Sequence, residues 1–268
     1  MVALFSRLAL LLLVLAPTLA KAAAGRELCL SCHQPHYRER GSCTSCHRGN
    51  PAALRKNVAH HLLIPGKYLW YTVGKGDALA GGERLMERFA CRRCHVSGGR
   101  GNHLATPLDA VMRSREASAV VAAIRTPALG MPDFRLTDRE LNPLVNALYA
   151  GSARAATTAK EPPVSVHFAD RAGRAQDVFS RKCGSCHRML TSRLGLLGSG
   201  EIGPNLSGLL TPWYPPTFRG SERWNAERLF RWVENPRRIA PEARMQPIPL
   251  TAEERRELKR LFNLPSPL

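Results

Sequence analysis

The chain has 268 residues, with 39 Lys and Arg against 21 Asp and Glu, and therefore a formal net charge of +18 at pH 7. Its hydrophobic fraction of 44% and mean hydropathy of −0.22 are typical of a globular chain, and they exclude a polytopic membrane protein and a wholly disordered one. The length predicts two or three compact units. The charge makes nucleic acid the first partner class to consider.

The first 24 residues have the pattern of a secretory signal peptide. They contain Arg7, an apolar run over 8–16 and a patch of small residues, with cleavage expected after Ala20, Ala22 or Ala24. The apolar run is shorter than the about 20 residues that a transmembrane helix needs, so an uncleaved anchor is the weaker alternative. We expect export to the periplasm and a mature chain without a transmembrane segment.

All eight cysteines fall in four Cys-x-x-Cys-His pentapeptides. This is the attachment motif of c-type haem: two thiols at this spacing can bond to the two vinyl groups on one porphyrin edge, while the next histidine ligates iron. The sequence therefore predicts four covalently bound haem c groups. The attachment residues are Cys29 and Cys32, Cys43 and Cys46, Cys91 and Cys94, and Cys183 and Cys186, and the proximal iron ligands are His33, His47, His95 and His187.

Zinc binding and disulfide bonding are the alternative uses of paired cysteines. The first two pairs are separated by ten residues, which is near the spacing of a zinc ribbon. Neither alternative explains a histidine after every second cysteine. Thioredoxin-like chemistry is disfavoured as well, because no βαβ pattern surrounds any of the motifs.

Residues 25–76 hold the first two motifs within 19 residues, and Pro35-His36 follows the first motif directly. This arrangement resembles the doubled haem motif of multihaem cytochromes. So short a segment cannot bury two haems separately, and we expect the two porphyrins to pack together and to form most of its core. The resemblance implies that His36 ligates the second iron and that either His60 or His61 ligates the first.

The C-terminal half contains an internal repeat. In each copy a short helix leads into a haem motif, and a methionine, Met131 or Met245, precedes an amphipathic helix. This order resembles the class I monohaem cytochrome c domain, and the second copy also carries that family's Gly-Pro-x-Leu stretch at 203–206. The resemblance implies that Met131 and Met245 are distal ligands. A core position is the alternative for both methionines, and His103 is a rival ligand to Met131.

The two closing helices of the repeat have clear start signals. Thr137 and Thr251 are predicted N-caps, and Glu140 and Glu254 occupy the capping-box position three residues later.

The predicted fold class is mainly α with extensive irregular loops, in the form of a haem-cored dihaem module and two class I cytochrome c-like helical domains. Apolar periodicity predicts helices over 110–124, 138–149, 226–234 and 252–262. The predicted divisions are a signal peptide at 1–24, the dihaem module at 25–76, monohaem domains at 77–150 and 169–268, and a linker at 151–168.

The positive charge is concentrated at the two ends of the chain. Residues 25–76 have eight Lys and Arg against two acidic residues, and residues 171–268 have 17 against nine, whereas residues 77–150 have ten against eight. We expect the basic ends to dock acidic or membrane-bound redox partner proteins. Nucleic acid is excluded as a partner, because an exported haem protein does not meet it.

These features predict an exported tetrahaem cytochrome that carries electrons between a low-potential donor, such as a quinol-oxidising or other respiratory complex, and an acceptor. Two alternatives stay open. One is a haem enzyme of the dihaem-peroxidase type. The sequence argues against this alternative, because it has enough His and Met residues to ligate all four irons. The other is a subunit of a larger cytochrome complex.

Overall fold

The computed structural model describes residues 27–74, 76–128, 130–156, 177–192 and 194–262. The predicted signal peptide at 1–24 and most of the predicted linker at 151–168 lie outside the described residues. No helix in the described ranges is long and apolar enough to cross a membrane.

The described residues are mainly helical, as the sequence predicts, with long irregular loops. The α-helices are α1 (Cys43–His47), α2 (Lys56–Ala59), α3 (Gly76–Arg88), α4 (Leu108–Ser114), α5 (Ala117–Arg125), α6 (Asp138–Arg154), α7 (Val178–Lys182), α8 (Ala226–Glu234) and α9 (Ala252–Phe262). Short 3-10 turns cover Leu28–Ser31, Arg38–Arg40, Gly66–Tyr68, Trp70–Val73, Cys91–Arg93, Arg219–Ser221 and Pro236–Arg238. Two antiparallel ribbons pair β1 (Val96–Ser97) with β2 (Arg100–Gly101) and β3 (Met189–Thr191) with β4 (Gly195–Leu197). Each ribbon directly follows a haem motif of the repeat.

The N-terminal segment, residues 27–74, has almost no protein core of its own. Residues 27–63 contain no buried side chain. The first buried residues are Ile64, Tyr68 and Leu69, and they belong to one apolar cluster with residues of α3, α4, α5 and α6. The end of the N-terminal segment is therefore fastened to the helices that follow it.

A buried amide completes this attachment. Asn146 of α6 is fully buried; its side-chain oxygen accepts a hydrogen bond from Trp70 N (2.8 Å), and its side-chain nitrogen donates to Lys67 O (2.9 Å). A buried amide is costly unless its hydrogen bonds are satisfied. These bonds fix the 67–70 turns on α6.

Helices α3 and α6 pack at very close range. A Cβ atom added to Gly82 of α3 would lie 2.0 Å from the Pro143 carbonyl oxygen and 2.6 Å from the Ala147 Cβ in α6. The crossing therefore requires glycine at this position. Helix α6 runs on to Arg154, into the first residues of the predicted linker.

The single helix predicted over 110–124 is wrong. The structure has two helices there, α4 and α5, separated by Arg115 and Glu116 in extended conformations. The Glu116 carboxylate accepts a hydrogen bond from Leu62 N (2.5 Å), which ties this break to the N-terminal segment. The helical spacing of apolar residues continues on both sides of the break, so this spacing alone cannot show that the helix is interrupted.

The C-terminal unit, residues 177–262, packs α7 against α9. Val178, Phe179 and Leu258 are fully buried, and the rings of Phe179 and Phe262 meet edge to face at 6.2 Å. Helices α8 and α9 have the bounds that the sequence predicts.

Both predicted capping boxes are present. Thr137 N donates to the Glu140 carboxylate (3.0 Å) and Thr251 N donates to the Glu254 carboxylate (2.9 Å), while Glu254 N donates to Thr251 Oγ1 (3.1 Å). The Thr137 hydrogen bonds hold the pKa of Glu140 below its ordinary value, and the Thr251 hydrogen bond does the same for Glu254.

Candidate haem sites

The N-terminal segment brings its histidines together in two pairs. The ring centres of His33 and His60 are 5.9 Å apart, and those of His36 and His47 are 5.6 Å apart. The second pair joins the two residues that the sequence assigns to the second iron. The first pair joins the predicted proximal ligand of the first iron to one of its two candidate partners.

Both distances suit one iron between two imidazoles. A ligating imidazole nitrogen lies about 2 Å from a transition metal and the ring centre lies about 1 Å beyond it, so rings on opposite sides of one metal have centres about 6 Å apart. Their planes can rotate freely about the metal–nitrogen axis, which accommodates the observed interplanar angles of 50° and 71°. The spacing thus fits bis-histidine haem at both sites.

His61 lies apart from this pairing. Its Nδ1 is 3.9 Å from the Glu116 carboxylate, and its side chain is 74% exposed. Of the two adjacent histidines, His60 is the one that faces His33, the predicted proximal ligand of the first iron.

A cavity of about 360 Å³ opens beside the His36–His47 pair. Cys43 and Cys46, the predicted attachment residues of the second haem, line it together with Leu69 and Trp70. Arg38 and Arg40 also line it, and their guanidinium groups suit the carboxylates that a haem carries. The two thiols and two imidazoles would attach and ligate a covalently bound haem, the apolar wall would cover its ring, and the arginines would pair with its carboxylates.

Three of the four predicted proximal histidines are held in the same way. The Nδ1 atoms of His47, His95 and His187 lie 3.0, 2.8 and 2.8 Å from the backbone carbonyl oxygens of Ile64, Thr106 and Pro204, respectively. A carbonyl oxygen can only accept, so each Nδ1 carries the hydrogen and each Nε2 keeps its lone pair. This hydrogen bond orients a ligating imidazole and selects the tautomer that binds metal through Nε2.

These carbonyls explain the Gly-Pro-x-Leu stretch. Pro204 supplies the acceptor for His187 in the second copy of the repeat, and Thr106, directly before Pro107, supplies it for His95 in the first copy. Sequence reasoning missed the third case, Ile64, which also directly precedes a proline, Pro65. The signal that would have found it is a proline, or the residue directly before a proline, 11 to 17 residues after the histidine of a haem motif.

Gly203 is required beside His187. A Cβ atom added there would lie 2.2 Å from the His187 Cε1 and 2.5 Å from its Nδ1. The glycine therefore lets the chain pass flat against the imidazole face and presents the next carbonyl to Nδ1.

Burial sets the protonation of several haem-motif side chains. It lowers the pKa of His95 below its ordinary value, which keeps the imidazole neutral, as a metal ligand must be. It raises the pKa of Cys91 and of Cys183 to about 11, so both thiols are protonated at neutral pH. None of the eight cysteines, all of which lie in the described residues, forms a disulfide.

The predicted distal methionines lie half-buried before the closing helices. Met245 packs on a cluster that includes Tyr214 and Leu229, and its Sδ accepts a hydrogen bond from Trp232 Nε1 (3.2 Å). Phe134, close behind Met131 in sequence, stacks on Phe89 at 5.0 Å, and this contact holds the loop near Cys91. Ligation by these two methionines stays a prediction, as does the rival role of His103, which is exposed.

The sequence model of a protein family described as "Cytochrome C oxidase, cbb3-type, subunit III" matches residues 77–146. The match supports a cytochrome c-like domain over these residues, with covalently bound haem c and an electron-transfer role. It spans the third haem motif, Met131 and the first half of α6. No solved structure matches the chain.

Proposed function

We propose that the chain is an exported tetrahaem c-type cytochrome that carries electrons between a low-potential donor and an acceptor. The observation that carries the proposal is the arrangement of two histidine pairs, His33 with His60 and His36 with His47, each at a spacing that suits one iron. With two further haem motifs at Cys91–His95 and Cys183–His187, the chain provides a proximal ligand for four irons.

The expected ligands give the direction of electron flow. Bis-histidine haem has a lower reduction potential than haem with a histidine and a methionine. Electrons therefore enter at the N-terminal pair, pass to the cytochrome c domain and leave from the C-terminal unit. The donor is a quinol-oxidising or other respiratory complex, and the basic ends of the chain favour acidic docking surfaces on both partners.

The haem count and the spin state test this proposal. Mass spectrometry and the pyridine haemochrome spectrum of the holoprotein should give four haems, and the ferric spectrum should be entirely low-spin and unchanged by cyanide. A smaller count would contradict the tetrahaem proposal. A high-spin fraction that binds cyanide would instead favour an enzyme of the dihaem-peroxidase type.

A redox titration tests the direction. Two haems should titrate at lower potential than the other two, and loss of the predicted bis-histidine ligation should affect the lower pair. If the N-terminal haems had the higher potentials, the direction of flow would be reversed.

A role as a subunit of a larger cytochrome complex is the second candidate. The observation that favours it is the matched family description, which is that of an oxidase subunit. Co-purification of the holoprotein with membrane partners from mild detergent would support this role, whereas isolation as a monomer from the periplasmic fraction would support a free carrier.

A further inference from the structure

The cytochrome c domain and the C-terminal unit meet in a hydrogen-bonded seam. On one side are Arg93 and Asn102; on the other are Asn205, Thr211 and Tyr214. Arg93 Nη1 donates to Asn205 O (3.2 Å), and Asn102 Nδ2 donates to Thr211 Oγ1 (2.8 Å). The Arg93 guanidinium also lies 5.6 Å from the centre of the Tyr214 ring, a cation–π distance.

Further contacts tighten this seam. Tyr214 OH and Arg93 Nη1 donate to the same carbonyl, Asn205 O. The Asn205 side-chain nitrogen donates to Gly130 O (3.2 Å) in the cytochrome c domain. Gly208 passes so close that an added Cβ would lie 2.6 Å from Arg93 O. The two units are thus in contact through backbone as well as side chains.

The seam lies between two haem motifs. Arg93 and Cys94 belong to the third motif, and Cys94 is a predicted attachment residue. On the other side, Asn205 directly follows Pro204, whose carbonyl oxygen accepts the hydrogen bond of His187 Nδ1 (2.8 Å). One short segment therefore contacts the third haem motif and also holds the proximal histidine of the fourth.

Ser207 adds a second link. The Ser207 hydroxyl oxygen accepts a hydrogen bond from Leu190 N (2.8 Å) in β3, the strand that follows the fourth haem motif. The same hydroxyl donates to Asn205 Oδ1 (2.6 Å). Ser207 is 1% exposed, so solvent is excluded from this contact.

We propose that residues 204–207 form the electron-transfer bridge between the third and fourth haem sites, and that Arg93 and Tyr214 hold this segment against the third haem motif through their hydrogen bonds to Asn205 O. The proposal rests on the proposed tetrahaem function. Electronic coupling falls steeply across a gap and less steeply along covalent and hydrogen bonds, and this segment replaces a gap with such bonds. With both haems bound, one electron would pass from the iron that His95 would hold, which would be oxidised from ferrous to ferric, to the iron that His187 would hold, which would be reduced from ferric to ferrous; no bond would form or break and no proton would move.

The proposal also gives a role to the long loop of the C-terminal unit. Thr211 and Tyr214 lie in the Thr-Pro-Trp-Tyr-Pro-Pro segment, which falls where the second copy of the repeat is longer than the first. Through Thr211 and Tyr214, this extra length contacts Asn102 and Arg93 of the cytochrome c domain.

The test compares electron transfer in the full holoprotein, its seam variant and a matched control. The seam variant combines Arg93→Gln with Ser207→Ala. The control is Arg188→Gln, which replaces an arginine directly after His187 whose guanidinium pairs with Glu201 (3.0 Å) and not with the cytochrome c domain. Reduction after a radiolysis pulse is followed in the weak band of His/Met haem at about 695 nm, which should bleach in two phases. A Met245→Ala variant identifies the phase of the fourth site.

We expect the fourth-site phase to slow by roughly an order of magnitude in the seam variant and to keep its rate in the Arg188→Gln control, with the ferric low-spin spectrum unchanged in both. An unchanged rate in the seam variant, or equal slowing in the control, would overturn the bridge. If the seam variant fails to assemble, Tyr214→Phe, which removes the hydrogen bond from the Tyr214 hydroxyl to Asn205 O and leaves both haem motifs intact, is judged by the same two outcomes.

Failure of the bridge and failure of the proposed function are distinguishable. A holoprotein with haem at both Cys91–His95 and Cys183–His187 but with a seam-independent rate refutes the bridge alone. A holoprotein lacking haem at either motif refutes the tetrahaem function, and mass spectrometry reports this before any rate is measured.

Discussion

The indole nitrogen of Trp232 donates a hydrogen bond to the sulfur of Met245, with 3.2 Å between Nε1 and Sδ. Trp224 packs against the same indole edge to face, with ring centres 5.8 Å apart, but its own Nε1 donates to Thr217 Oγ1 (2.9 Å). The two tryptophans are therefore neighbours in one aromatic cluster, and Trp232 is the one bonded to the predicted distal ligand.

This difference predicts different effects on the fourth haem. A donor to a ligating sulfur withdraws electron density from it and favours ferrous iron, so Trp232→Phe should lower the reduction potential of the fourth haem. A hydrogen bond of about 0.5–1.5 kcal/mol corresponds to about 20–60 mV for a one-electron couple. Trp224→Phe should leave that potential unchanged. A redox titration checks both, and equal shifts in the two variants would show that cluster packing, and not the hydrogen bond, sets the potential.

The adjacent histidines His60 and His61 should behave differently when replaced. His60 faces His33, whereas His61 is exposed and near Glu116. His60→Ala should leave the first iron without its sixth ligand, so the ferric protein should gain a high-spin fraction that binds cyanide. His61→Ala removes a surface contact of a kind that contributes about 0–1 kcal/mol, and its spectrum should stay low-spin. A high-spin signal from His61→Ala instead would reverse the assignment.

Gly203 should be indispensable for the fourth site. Gly203→Ala puts a methyl group 2.2 Å from the His187 Cε1, which must displace the imidazole and break its bond to Pro204 O. Overpacking of this kind costs about 1–3 kcal/mol, so we expect a lower melting temperature and loss of low-spin haem at one site of four. Gly76→Ala is the control, because an added Cβ there meets no atom within 4 Å. If both variants had the wild-type spectrum and melting temperature, Gly203 would have no part in orienting His187.

Local signals were sufficient for much of the fold. Capping boxes at Thr137 and Thr251 depend on residues three apart, and the bounds of α8 and α9 depend on apolar spacing within one helix, so each can be derived from a short window of sequence. The candidate partners of His33 and His47 came from the resemblance to doubled haem motifs, and the structure brings His60 and His36 to them. Choosing His60 over His61 required the fold, because the two residues are equivalent in any one-dimensional pattern.

The features that could not be predicted from the sequence depend on contacts between residues far apart in the chain. The break at Arg115–Glu116 is tied to Leu62, more than fifty residues away in the chain, and Asn146 is buried because it satisfies backbone groups at Lys67 and Trp70. The seam between Arg93 and Asn205 is of the same kind. None of these contacts leaves a periodic or compositional trace, since each side is an ordinary polar residue until its partner is known.

The neighbouring glycines Gly81 and Gly82 provide a final test of the packing of α3 on α6. An added Cβ at Gly81 would be 3.7 Å from the nearest atom, the Pro143 Cβ, which is an ordinary contact, whereas at Gly82 it would be 2.0 Å from the Pro143 carbonyl oxygen. Alanine is favoured over glycine within a helix by about 0.5–1 kcal/mol, so Gly81→Ala should raise the melting temperature of the holoprotein slightly.

Gly82→Ala gains the same helix propensity but must separate two helices at a backbone contact, where no side chain can rotate away. We expect a loss of about 1–3 kcal/mol in the free energy of unfolding, measured by thermal unfolding with circular dichroism. Because α6 also holds the 67–70 turns through Asn146, this loss should spread to the second haem site and weaken its low-spin spectrum on heating before that of the C-terminal unit. Equal melting temperatures for the two variants would mean that α3 and α6 do not cross at Gly82.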